Sequence, residues 1–312
     1  MSPGAASKGQ PCAAAAVARG EELMATASRV RSWLVLEQPG AWGRNALVES
    51  QLDQRVGAAI VARSRRAGVR PLLIRRPAGY HSAGGRRCYL AHSGARRSWL
   101  EALEVDDPGD VLDLDLTALA NDRAPGLGER QDGPVYLVCT NGRHDRCCAD
   151  FGRPLVRALA AAGVGDVWEC SHIGGDRFAA NLVCLPEGVY FGRVDPSTGP
   201  TLASDYAVGL LDLDHLRGRS CYPPLVQAAE LFVRRASGMR AMSGLVVAAV
   251  EPVGADVVDV VFDSSSGPPA WRARVERRRS QAAVVLTCHD DGESRPWDYH
   301  LLALEGPEPP GR

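Results

Sequence analysis

Cys139, Cys147, Cys148, Cys170 and His172 crowd into one short stretch of the chain. Thiolates and imidazoles are the side chains that hold zinc and iron-sulfur clusters, and thiolates also carry out disulfide exchange. Their placement narrows the choice. Cys139, Cys148 and Cys170 stand where apolar runs end and polar loops begin, whereas a cysteine that merely fills space belongs inside such a run. Thiol exchange would want a C-x-x-C pair at a helix start, and a structural zinc knuckle a similarly short spacing; neither is present around these residues.

The elements around these residues must bring them together. Residues 134–138 read as a buried strand ending at Cys139, and a polar loop returns the chain to Cys148 at the start of a helix that continues through 151–162. Residues 166–169 start a second strand that ends at Cys170 to His172. Two positions apart on an extended segment, Cys170 and His172 point to one face, and Gly174-Gly175 beyond them lets backbone N–H groups approach a negatively charged cluster. Strands at 182–185 and 189–194, joined by Pro186-Glu187-Gly188, predict a hairpin, with helices at 202–216 and 224–235 after it. This β-α-β, hairpin, helix order is that of a thioredoxin-like domain.

The expected organisation is a disordered arm over residues 1–28, an α/β half over 29–120, the thioredoxin-like domain over 133–237 and a β-rich segment over 240–312. Within the first half, 32–37, 71–75 and 88–92 read as strands and 51–67 as an amphipathic helix. The mixture NDRAPGLGERQDG over 121–133 reads as an exposed linker.

Composition excludes several function classes. With 312 residues and 45% hydrophobic content the chain can bury a substantial core, and a net charge of -1 gives no global attraction to nucleic acid or anionic membrane. Lys8 is the sole lysine among 36 basic residues, a bias typical of GC-rich coding, so arginine richness alone is no phosphate signal. The apolar stretch 12–18 is too short to span a bilayer. Nine cysteines are an odd number and include the adjacent Cys147 and Cys148, which suits reduced thiols or metal ligands in the cytoplasm better than a secreted disulfide framework.

The segments VCTNGRHDRCCADFGRPL, WECSHIGGDRFAANLV and LPEGVYFGRV, with LEQPGAWG near 36–43 and RGRSCYPPLVQAAELFVR near 217–234, resemble the sucrase/ferredoxin-like family from Ser32 to about Arg235. The resemblance implies a thioredoxin-like ferredoxin fold holding a [2Fe-2S] cluster that serves electron transfer or redox sensing, with a redox protein as partner. The family's pattern of two loop cysteines and a His-x-x-x-His pair carries over to Cys139, Cys148 and His172. Where the second histidine would stand, this chain has Asp176. The fourth ligand is then Asp176, Cys170 or Cys147; a hard carboxylate suits iron-sulfur chemistry less well than thiolate or imidazole, which keeps Cys170 in competition. Half of the family's name suggests sugar hydrolysis, for which Asp106, Asp107, Asp110, Asp113 and Asp115 supply carboxylates, but acidic turns are common and the name is no evidence of activity. The rival reading is a zinc-bound or metal-free thioredoxin-like module that binds a protein.

Other residues have plainer expectations. Cys147 and Cys184 read as packed small hydrophobes, His144 as a solvated loop residue, and Cys288-His289 as a ligand pair that nothing nearby completes. Arg217, Arg219 and Ser220 precede a helix and either contact an anionic partner or organise a loop. Arg277-Arg278-Arg279 marks a solvated strand end, and Trp42 anchors a turn or shields the cluster.

Overall fold

The computed structural model describes residues 10–77, 84–264, 270–289 and 292–307. Helix α1 (Cys12–Ala18) precedes the run SWLVLE, which forms strand β1 (Ser32–Glu37) and is buried at every position because both of its faces are covered. Asp53 caps helix α2 (Gln54–Ala67) by accepting from the Arg55 and Val56 N–H groups, and Gly68 closes it in the left-handed conformation. Strands β2 (Val69–Arg75), β3 (Arg86–His92), β4 (Trp99–Val105) and the short β5 (Glu129–Arg130) complete the first half. The second half runs β6 (Val135–Cys139), α3 (Arg146–Ala162), β7 (Asp166–Cys170), β8 (Leu182–Leu185), β9 (Val189–Phe191), α4 (Gly199–Ala207), β10 (Leu216–Arg219) and α5 (Pro224–Ser237).

Pairing makes the two halves alike. β1 and β2 are parallel, β3 is antiparallel to β1 and β4 to β3. In the same way β6 and β7 are parallel, β8 is antiparallel to β6 and β9 to β8. The halves meet where β2 and β7 pair antiparallel, at Ile74 with Cys170 and Arg75 with Glu169. One ten-stranded mixed sheet results, ordered β10-β9-β8-β6-β7-β2-β1-β3-β4-β5.

Helix α2 covers Leu34, Leu36, Leu73 and Leu90 through Ile60, and α3 covers Tyr136, Val138 and Leu182 through Leu155 and Leu159. The opposite pleat of both halves, including Trp33, Val35, Ile74, Leu137, Trp168 and Tyr190, forms one shared core. Trp33 and Tyr190 lie 6.3 Å apart although their strands are five places apart in the sheet. Strand spacing would separate them by about 24 Å in a flat sheet, so this sheet curls over its common core.

The remainder is a four-stranded antiparallel sheet, β11 (Leu245–Gly254), β12 (Val257–Ser264), β13 (Trp271–Arg279) and β16 (Trp297–Glu305), with a two-stranded ribbon of β14 (Val284–Val285) and β15 (Glu293–Ser294). Leu245, Val260, Phe262 and Val275 from the larger sheet join the core under α5. No helix among the described residues is long and apolar enough to cross a membrane.

Several expectations need correction. Residues 12–18, expected within a disordered arm, form α1, with Cys12, Ala13, Ala15 and Ala16 buried; residues 1–9 lie outside the described residues. β4 has no counterpart among the expected strands, because its alternation WLEALEV also fits a helix. The helix expected over 202–216 ends at Ala207, where Gly209 takes a positive φ and Asp212 organises a turn instead. Asp107 and Asp115 cap short 3-10 turns and Asp110 completes a capping box with Asp107, a structural use of the acidic run.

Candidate metal centre

The centre sits where the carboxyl ends of β6 and β7 lie side by side, with Cys139 and Cys170 in register. From Cys139 the loop 140–145 turns back and Asp145 starts α3, accepting the Cys147 N–H at 2.8 Å, so that Cys148 falls in the first helical turn. Gly152 allows this helix to approach, since a Cβ there would collide with the Cys139 carbonyl oxygen. From β7 the chain passes His172 and turns through Gly174 and Gly175, at φ of 95° and 84°, into the 3-10 turn at Asp176.

Behind that turn lies Arg217, fully buried. Its guanidinium donates to the Gly174 carbonyl at 2.9 Å, Asn181 Oδ1 at 2.7 Å and the Thr26 carbonyl at 2.6 Å, while Asn181 in turn donates to the Gly175 carbonyl. Arg219, also buried, pairs with Glu230 at 3.6 Å. Both arginines are structural braces. On the other side, the Gly43 carbonyl accepts from Asn141, the Arg44 carbonyl accepts from His144 Nδ1, and Arg75, stacked over Trp42, pairs at 2.6 Å with Glu169, which also accepts from Thr140. The QPGAWG turn thus holds the first loop in place, with Trp42 in the α2 core.

The ligand atoms of Cys139, Cys148 and His172 lie within 4.8 Å of one another, and so do those of His144, His172 and Asp176. Asp176 joins the two groups: its Oδ1 is 2.9 Å from His172 Nδ1 and accepts from Cys148 Sγ at 3.2 Å. The His172 to Asp176 approach is close but not aligned as a hydrogen bond, so among the described residues the buried His172 Nδ1 has no hydrogen-bond partner. Two thiols and an imidazole within reach of one another, with a carboxylate against the imidazole and one thiol, form a donor set suited to a metal centre.

Electrostatics prepare part of this donor set. A hydrogen bond from Cys148, outweighing burial, pulls the Cys139 thiol down to about 5, aided by His172, while sharing that proton and burial push Cys148 well up. Burial alone would lower His172, but Asp176 and Cys139 raise it to about 9. Asp176 is held below the usual carboxylate range: burial raises it, and His172 more than reverses that. At neutral pH one thiolate and one carboxylate are therefore in place beside a protonated His172, whose proton a metal would displace on binding.

Among the sequence candidates, Cys139, Cys148, His172 and Asp176 come together. Cys170 is close along the backbone but belongs to neither group of ligand atoms, and its thiol packs in the shared core. Cys184 is core, as expected. His144, expected in solvent, instead stacks on His172 with ring centroids 3.5 Å apart and Nε2 3.7 Å from Asp176 Oδ2. Cys147, expected to pack as a hydrophobe, and Cys288, expected to stand alone, meet Cys12 and Asp145 in a second group. No spacing rule could reveal that group, because its members come from distant parts of the chain.

A family model described as sucrase/ferredoxin-like matches residues 23–210, more than half of the chain. The chain belongs to the sucrase/ferredoxin-like family. The match spans the whole centre, from the N-terminal segment that receives Arg217 to the hairpin β8-β9. Cys12, Arg217 and Cys288 lie outside it. No curated protein and no solved structure matches the chain.

Proposed function

We propose that this sucrase/ferredoxin-like protein holds a [2Fe-2S] cluster, with Cys139 and Cys148 on one iron and His172 and Asp176 on the other, and works in electron transfer or redox sensing. The observation that carries the proposal is that Cys139, Cys148 and His172 bring their ligand atoms within 4.8 Å of one another, with Asp176 Oδ1 against both His172 Nδ1 at 2.9 Å and Cys148 Sγ at 3.2 Å. The strand order β7-β6-β8-β9 supports reading the second half as thioredoxin-like, and the same order in β2-β1-β3-β4 makes the first half a structural relative of it.

The cluster would supply one-electron chemistry; the chain's residues set its conditions. Cys139 and Cys148 are 1% exposed and Asp176 is 2%, whereas the His172 side chain is 26% exposed and His144 24%. The histidine edge is thus the side from which a redox protein partner reaches the centre. A neutral, titratable imidazole in place of a thiolate raises the potential of its iron and couples it to pH. Nine free cysteines favour a reducing compartment, the cytoplasm.

A second reading has its own support. Cys139, Cys148 and His172 fit around a single tetrahedral ion, so a zinc-stabilised thioredoxin-like binding module is the alternative. Protein purified without oxygen decides between them by iron, acid-labile sulfide and visible absorption. Two irons and two sulfides per chain in a coloured protein support the cluster. A colourless protein that remains so after reconstitution refutes it.

A further inference from the structure

We propose that Cys12, Cys147, Cys288 and Asp145 form a second, structural metal site that binds one zinc ion. The four residues come from the start of α1, the first turn of α3 with its cap, and the segment after β14. Cys147 Sγ lies 3.6 Å from Cys12 Sγ and 3.4 Å from Cys288 Sγ, and Cys12 Sγ lies 3.6 Å from Asp145 Oδ2. All four ligand atoms fall within 4.8 Å of one another. A tetrahedral zinc with its usual bond lengths separates sulfur from sulfur by about 3.7 Å and sulfur from oxygen by about 3.5 Å. A disulfide would bring two sulfurs to about 2.0 Å and strand the third thiol. The observed spacing is that of a ligand shell.

The surroundings are built for such a shell. Asp145 is completely buried and makes no ion pair with Arg or His among the described residues, so in its place beside three thiols it lacks a counter-charge that a divalent cation would supply. Its two oxygens are aimed by backbone donors, Cys147 N–H to Oδ1 at 2.8 Å and Cys288 N–H to Oδ2 at 2.6 Å. The Cys12 N–H donates to Cys288 Sγ at 3.3 Å. Such donors to the ligands fix their orientation as outer-shell contacts do in metal sites. Adjacent residues on a helix point about 100° apart, so Cys147 faces this site while Cys148 faces the first. Cys12 and Cys147 are buried and Cys288 is exposed, giving an ion access from one side. Four protein ligands leave no open position, which makes the site structural. Its work is to tie α1 and the C-terminal segment to the loop that carries Cys139 and Cys148.

The proposal is independent of what the first centre binds. Protein grown with zinc and purified without oxygen should hold one zinc per chain more than the Cys12→Ser, Cys288→Ser double variant, which should keep whatever metal the first centre holds. Cobalt-substituted wild type should show tetrahedral d-d bands with the charge-transfer intensity of three thiolates. The first centre can offer only Cys139 and Cys148, so that spectrum identifies the second site whether or not the variant folds. Zinc-free wild type, equal zinc in wild type and double variant, a two-thiolate cobalt spectrum, or a disulfide among these cysteines by intact mass would overturn the assignment.

Discussion

At the scale of single residues, Asp176 is the position on which the proposed ligation depends. If its carboxylate is the fourth ligand, Asp176→Ala loses iron on purification, whereas Asp176→His keeps it and raises the potential, on the order of 100 mV for replacing an anion by a neutral imidazole. Cys170→Ala should keep wild-type iron, because that thiol is packed in the core and outside the ligand groups; iron lost from Cys170→Ala alone would transfer the role to it. Iron content and voltammetry of the three variants check this. That Cys139, Cys148 and His172 would lie together was legible from residue type and from their positions at strand ends and a helix start. The competition between Asp176 and Cys170 was not, since both lie close to His172 in sequence and only the turn through Gly174 and Gly175 brings Asp176 back onto the imidazole. His144 departs from its expected solvation for a related reason: a polar loop implies solvent, but the Arg44 carbonyl turns this ring onto His172.

At the scale of elements, the segments that brace the centre carry the testable consequences. Arg217→Met keeps the volume but leaves the Gly174 and Thr26 carbonyls and Asn181 Oδ1 without their donor, and should cost about 3 kcal/mol or more by urea unfolding, with iron lost as the turn relaxes. Asp53→Ala removes only the α2 cap, so it should cost about 1 kcal/mol and leave iron unchanged. Asp212 and His215, in the turn that ends the region of α4, give a pH-dependent contribution. Asp212 raises His215, whose share is present below its ordinary value of about 6.5 and lost as pH rises through the raised one. His215 in turn lowers Asp212, whose share is present above its ordinary value of about 3.9 and lost as pH falls through the lowered one. The pair is complete between those limits, so His215→Gln should destabilise by up to about 1 kcal/mol at pH 6 and by less at pH 9. Most strands and helices of the two halves were legible from periodicity and caps. β4 and the end of α4 were not, because WLEALEV alternates ambiguously and the signal that stops α4 is a turn residue followed by tertiary contacts.

At the scale of the whole molecule, two topologically matching halves share one curled sheet, and the C-terminal sheet is part of the same core. Removing residues beyond 240 would strip Leu245, Val260, Phe262 and Val275 from the core under α5. At about 2 kcal/mol per buried side chain the loss approaches the entire stability of an ordinary domain. The shortened chain should therefore fail to give soluble folded protein; a monodisperse, iron-loaded product in size-exclusion chromatography would show the segment to be dispensable. Residues 121–133 were expected as an exposed linker between halves, but Glu129–Arg130 pairs with β4 and the Gly126, Leu127 and Gly128 N–H groups donate to Glu101, so the segment belongs to the first half's sheet. The likeness of the halves could not be read from the sequence, because it resides in pairing order rather than in any repeated residues, and neither could the packing of α1, whose partner turn at 176–178 is remote in sequence.

The most direct test of mixed ligation is pulsed EPR of the dithionite-reduced protein labelled with nitrogen-15 histidine. Ligation by His172 predicts a rhombic spin-half signal with histidine nitrogen coupling that disappears in His172→Cys. A reduced cluster without nitrogen coupling, or no paramagnetic signal in iron-replete protein, would contradict it.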